Sequence, residues 1–178
     1  MELGVKGRVH TYASILLGLI RKRVDWVSRD LRRRQIRRRL GDDPTRPIRS
    51  PSDAIKSAEA LLDCASWRDA NETLWSNVAV RPLAELLYAA SKQRNEGGIE
   101  WAWHALFNID ADEAVAGWSQ AAKVSDQAGA PLPGQLLRVA GLPPRQRHSV
   151  ILIMHAAIAP WLAAARRSAQ QAMRSAQS

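Results

Sequence analysis

The stretch Leu74-Trp75-Ser76-Asn77-Val78-Ala79-Val80-Arg81-Pro82-Leu83-Ala84-Glu85-Leu86-Leu87-Tyr88-Ala89-Ala90 decides the fold class. Leu74, Trp75, Val78, Leu83, Leu86, Leu87 and Ala90 recur at three- and four-residue steps, the period of a helix with one apolar face. Asp69-Ala70-Asn71-Glu72, just before it, has the spacing of a capping box with Asp in the usual Ser/Thr place. Pro82 should bend the helix.

The same pattern extends in both directions. Upstream, Ser52 can cap a helix carrying Ile55, Ala58, Leu61, Leu62 and Ala65. Downstream, Gly97-Gly98 closes the segment, and a short aromatic helix with Trp101, Trp103, Leu106 and Phe107 follows. Asp110-Ala111-Asp112-Glu113 then opens a helix with Val115, Trp118, Ala121, Ala122 and Val124. A turn over 129–134, a short helix over 135–140 and a long last helix after Gly141-Leu142-Pro143-Pro144 complete the chain, with a kink expected at Pro160. No segment sustains the two-residue alternation of a strand. The expectation is an all-α protein: a compact bundle of about six helices behind an N-terminal Arg-rich helix.

Charge divides the chain unevenly. Residues 1–49 hold 14 Lys+Arg against 5 Asp+Glu, and residues 50–178 hold 12 of each. The densest part is Arg29-Asp30-Leu31-Arg32-Arg33-Arg34-Gln35-Ile36-Arg37-Arg38-Arg39. Arginine outnumbers lysine 12 to 2 in the first 49 residues, and guanidinium groups bind phosphate bidentately. Residues 9–40 read as one helix with an apolar stripe at Leu17, Ile20, Val24, Val27 and Leu31. The stripe stops where the arginines begin. The arginines then point in nearly every direction, so this stretch should not pack into an ordinary core. Prolines 44, 47 and 51 make residues 41–52 a linker. The organisation expected is a basic helix at 1–40, a Pro-rich linker at 41–52 and an all-α domain at 53–178. Arg29, Arg32, Arg33, Arg34, Arg37, Arg38 and Arg39 form the candidate nucleic-acid contact set.

Other chemistry is absent from the pattern. There is no Gly-x-x-x-x-Gly-Lys-Ser/Thr loop and no dinucleotide glycine fingerprint. His148 and His155 stand two turns apart, about 10.5 Å of rise, too far to share one metal. The acids after His104 suit a helix start better than a calcium loop. No cofactor, metal site or catalytic residue is expected. Cys64, among Leu61, Leu62 and Ala65, should be buried. Of the seven tryptophans, Trp75, Trp101, Trp103 and Trp118 belong to the core, and Trp26 is the one best placed to touch a partner. The most apolar run, Val150 to Ala165, has 16 residues, short of the roughly 20 a spanning helix needs; it reads as a buried core helix, with a membrane-lying segment as the alternative because Arg166 and Arg167 follow at once.

One family shares this order of helical patterns. Asp53-Ala-Ile-Lys-Ser-Ala-Glu-Ala-Leu-Leu62, then Trp75, then Arg81-Pro-Leu-Ala-Glu-Leu-Leu-Tyr-Ala-Ala-Ser91 and Gly98-Ile-Glu-Trp101, resemble the all-α domain of TraG-like conjugative coupling proteins. Leu142-Pro-Pro-Arg-Gln-Arg-His-Ser-Val150 through Ile158-Ala-Pro-Trp161 resembles the start and later course of that domain's closing helix. The likeness covers about residues 53–165. In that family the domain is inserted into a motor ATPase of type IV secretion, whose phosphate loop and sheet segments these 178 residues lack. The resemblance implies a stand-alone relative of the substrate-recognition domain, or a truncated remnant of a coupling ATPase, without ATP hydrolysis. It implies DNA and a relaxase or coupling ATPase as partners, and a cytoplasmic location. A second expectation comes from the amphipathic N-terminal helix. Its stripe and arginines could lie on an anionic membrane surface as a peripheral adaptor at the inner face.

Overall fold

The computed structural model describes residues 30–32, 34–65, 70–110, 112, 114–127, 132 and 134–176. The chain divides into two compact units, residues 1–35 and 36–178. In the first, the described residues 30–32, 34 and 35 are helical. The expected stripe from Leu17 to Val27, the Asp69 and Glu72 capping pair, Trp26, Arg29 and Arg33 lie outside the described residues or side chains.

The second unit is an all-α bundle, with no strand among the described residues. A short helical segment, α1 (36–40), precedes six helices: α2 (Pro51–Cys64), α3 (Ala70–Ala90), α4 (Gly98–Phe107), α5 (Trp118–Asp126), α6 (Gln135–Ala140) and α7 (Pro144–Ser175). The helix α3 is the centre, packed against α2, α4, α5, α6 and α7. Every residue from Pro82 to Ser91 is buried, so this half of α3 presents apolar surface all round. The half before Pro82 differs from expectation: Leu74 and Val78 are exposed and Trp75 is half-buried.

One charge sits inside that apolar half. Glu85 is fully buried, and its carboxylate accepts hydrogen bonds from the backbone N–H groups of Gly134 at 2.8 Å and Leu136 at 2.6 Å. It thereby caps α6, whose own N-cap residue is Gly134 and supplies no side chain. A six-residue helix gains little from its own hydrogen bonds, so an outside anion at its N-terminus matters. Gly134 takes the left-handed conformation, φ +74°, which glycine adopts without strain.

The residues expected as a linker are part of the packed unit. Thr45 and Ile48 are 1% exposed, and Pro44 is buried. Asp43 accepts hydrogen bonds from the Thr45 N–H at 3.0 Å and the Thr45 hydroxyl at 2.7 Å, and a weaker one from the Ile99 N–H at 3.4 Å. It therefore ties the 41–50 segment to the start of α4. Gly98 permits this, because a Cβ there would stand 2.5 Å from the Asp43 carboxylate. The cap of α2 is Ser50, not Ser52. The Ser50 hydroxyl accepts from the Asp53 N–H at 3.2 Å, and Asp53 accepts from the Ser50 N–H at 3.1 Å. Pro51 then occupies the first helical turn, where its missing N–H costs nothing. The helix α5 starts at Trp118, later than the acidic run suggested. Asp112 instead closes a turn by accepting from the Ala114 N–H at 3.0 Å. Trp118 is fully buried, and its indole N–H donates to the Leu106 carbonyl at 3.1 Å. Cys64 is buried, as its neighbours indicated.

Two outcomes follow from these contacts. A chain beginning at Ile36 should fold and melt close to the full-length protein. One beginning at Ser50 loses the buried Ile48 and the Asp43 tie, and should be less stable by on the order of 2–5 kcal/mol or more. Equal thermal melts of the two fragments by circular dichroism would contradict this. Burial pushes the Glu85 pKa above its ordinary 4.5, against the pull of the Leu136, Gly134 and Gln135 N–H groups. The folded state therefore holds that proton more tightly than the unfolded state. Its contribution is full below the unfolded pKa and is lost as pH rises through the raised value. The stability of the wild type relative to Glu85→Gln, measured by urea unfolding, should be greatest in acid and decline with rising pH; the reverse trend would refute it.

Candidate nucleic-acid interface

In sequence, the arginine-rich stretch 29–39 crosses the boundary between the two units. In the first, Arg32 and Arg34 are exposed, and Arg34 pairs with Asp30 at 2.8 Å, one helical turn away. In the second, α1 carries Arg37, Arg38 and Arg39, all exposed. The expectation that this stretch could not pack needs correction at α1. Ile36 and Leu40, four residues apart, share one edge, both are half-buried, and Ile36 packs against the core. That narrow edge suffices to seat α1 and leaves its three arginines outward. Ile36, Leu40 and Pro47 also line a shallow groove of about 250 Å³ with Lys56 and Ala60 of α2.

Asp42 fixes the end of α1. Its carboxylate accepts from the Arg37 guanidinium on one side and from the Ser168 hydroxyl of α7 on the other. The Ser168 hydrogen bond first, and then Arg37, hold its pKa below the usual carboxylate range, with a smaller pull from Arg167. The Gly41 N–H closes the helix on the Arg37 carbonyl at 2.9 Å. Among the described residues Arg32, Arg38 and Arg39 have no acidic partner, so their guanidinium groups remain open to an outside anion.

The unit boundary changes the charge partition. Residues 36–178 hold 17 Lys+Arg and 14 Asp+Glu, a net of +3 rather than zero. The sequence reading missed where further positive charge gathers. The last part of α7, from Arg166 on, lies beyond the buried positions and is mostly exposed. It carries Arg166, Arg167 and Arg174, and residues 161–178 contain no acid. Arg166 is engaged by Glu100 at 2.8 Å.

Two other features offer less chemistry. An open cleft of about 960 Å³ lies between the 43–46 loop, the α3–α4 turn and α7. Its acids are largely committed: Asp43 to α4 and Glu100 to Arg166. Between α4 and α7, Trp103, Phe107 and His155 form an aromatic cluster with ring centroids 4.8 to 5.7 Å apart. Trp101 and Trp103 are both half-buried against the core, so neither stands free as a stacking platform. Among the described residues no three His, Cys, Asp or Glu side chains gather as a metal site. The helix α7 is long and apolar enough to cross a membrane, and half of its most apolar window is buried within the bundle.

No family model, curated protein or solved structure matches this chain.

Asp42 is half-exposed, so its ion pair is worth at most about 1 kcal/mol after solvent screening. Asp42→Asn should therefore leave the melting temperature nearly unchanged. It should speed hydrogen exchange at the Gly41 amide, because the end of α1 loses its tether. Because the folded pKa is depressed, the same loosening should develop in the wild type as pH falls through the carboxylate range. Unchanged exchange in Asp42→Asn would show that α1 is held by its apolar edge alone.

Proposed function

We propose that this protein is a non-enzymatic accessory module that binds DNA through its phosphate backbone. The observation that carries the reading is the exposure of Arg37, Arg38 and Arg39 on a helix whose opposite edge, Ile36 and Leu40, is seated on the bundle. Arginines held on a folded support lose less freedom on binding than the same residues on a free tail. The contact set is Arg29, Arg32, Arg33, Arg34, Arg37, Arg38 and Arg39. Phosphate contacts of this kind give affinity and position without sequence choice.

The setting rests on the resemblance of residues 53–165 to the all-α domain of coupling proteins. On that reading the bundle meets a relaxase or coupling ATPase in conjugative DNA transfer, in the cytoplasm, while the arginines hold DNA. No cofactor takes part. The alternative, a peripheral membrane adaptor, draws on the amphipathic pattern of residues 17–31, of which the described Leu31 is exposed.

The intact chain should retain duplex DNA of unrelated sequences with similar affinity. If about six arginines each neutralise one phosphate, log K should fall against log salt with a slope near −5 or steeper, from roughly −0.9 per contact. Failure to retain DNA at about 50 mM salt, with partition onto anionic vesicles instead, would replace this reading with the membrane adaptor.

A further inference from the structure

We propose that the DNA-binding surface is composite: Arg167 and Arg174, on the protruding end of α7, extend the phosphate track that begins at Arg37, Arg38 and Arg39. This rests on the DNA-binding reading above and names a second element of the same site.

The junction is the Asp42 bridge. Asp42 accepts hydrogen bonds from both Arg37 and Ser168, which brings the end of α1 against α7 at residue 168. Arg167 is the neighbour of Ser168, is exposed, and lies close enough to Asp42 to act on its carboxylate. One acid thus stands among Arg37, Arg38, Arg39 and Arg167, and an excess of positive charge remains. Arg174 follows Arg167 by seven residues, two helical turns, so both project from the same face of α7. Their separation along the axis is about 10.5 Å, enough for the two guanidinium groups to reach different phosphates. Arg174 is exposed, and among the described residues neither Arg167 nor Arg174 has an ion pair with an acid. Arg166 is excluded from the track because Glu100 holds it on the side of the cleft.

The chemistry of the α7 end selects a phosphodiester backbone over a lipid surface. Membrane-lying helices bury Trp, Phe or Leu in the headgroup boundary opposite their basic face. From residue 166 on, α7 offers Ala169, Ala172 and Met173 and no bulkier apolar side chain. The basic residues here are all arginine, which suits bidentate phosphate contact. A second copy of the same surface would be repelled by like charge.

The test compares full-length variants on a duplex of arbitrary sequence across a salt series. Arg167→Ala/Arg174→Ala should weaken binding about tenfold near 100 mM salt and flatten the log–log slope by roughly 1.8, two contacts at −0.9 each. The double lysine variant, R167K/R174K, should keep most of the slope, because it keeps the charge. Both should melt like the wild type, since these side chains are exposed. If Arg37→Ala/Arg38→Ala/Arg39→Ala loses affinity while the α7 double variant keeps wild-type affinity and slope, the composite surface is wrong and the DNA reading stands. If the wild type binds no DNA, both fall. If the α7 variant loses only its partition onto vesicles of anionic phospholipid, the surface is a lipid site and the proposal is overturned.

Discussion

The structure depends on one constraint: the second half of α3 is buried on all sides. Ten consecutive residues, Pro82 to Ser91, are withdrawn from solvent. Such a helix needs neighbours around its whole circumference, and five helices supply them. Its one carboxyl group in that stretch, Glu85, would be costly to bury unpaired. The α6 N-terminus meets that need with backbone donors, and the carboxylate in turn anchors a helix too short to stand alone. Core and cap solve each other's problem. The same logic recurs at the periphery, where Asp43 joins the 41–50 segment to α4 and Asp42 joins α1 to α7.

These ties bear on function because they turn a basic segment into a supported surface. Asp42 joins α1 to α7 through Arg37 and Ser168. It removes one positive charge locally but brings arginines of two distant segments into a common region. The end of α7 and the arginines of α1 are parts of one folded unit.

The helical class was legible because it rests on local periodicity. Helices α2, α4, α6 and α7 begin close to their expected places, within the reach of capping residues and glycine or proline signals. The errors have a common physical origin. Ser52 was favoured as a cap because it precedes the apolar pattern, yet Ser50 has the reciprocal partner Asp53. The acids at 110–113 look like a helix start, but the backbone there turns first, and Trp118 anchors α5 by its indole bond to Leu106. Residues 41–50 look like a linker because prolines bar a helix; burial of Thr45 and Ile48 depends on partners elsewhere in the chain. Asp43 meets Ile99 across 56 positions, Glu85 meets Gly134 across 49, and Asp42 meets Ser168 across 126. No local pattern encodes such distances. The exposed arginines of the candidate interface were legible as charge, whereas the contribution of α7 depends on the longest of these contacts.

On the proposed reading, the arginines of α1 and of the α7 end hold DNA even without the first 35 residues. The most direct measurement is duplex DNA binding by the fragment from Ile36 to Ser178 over a salt series. The fragment should bind more weakly than the intact chain, with a clearly negative log K against log salt slope of roughly −3 to −5 from the three α1 arginines and the two of α7. A well-folded fragment that shows no salt-dependent retention of DNA at about 50 mM salt, while the intact chain binds, would contradict it.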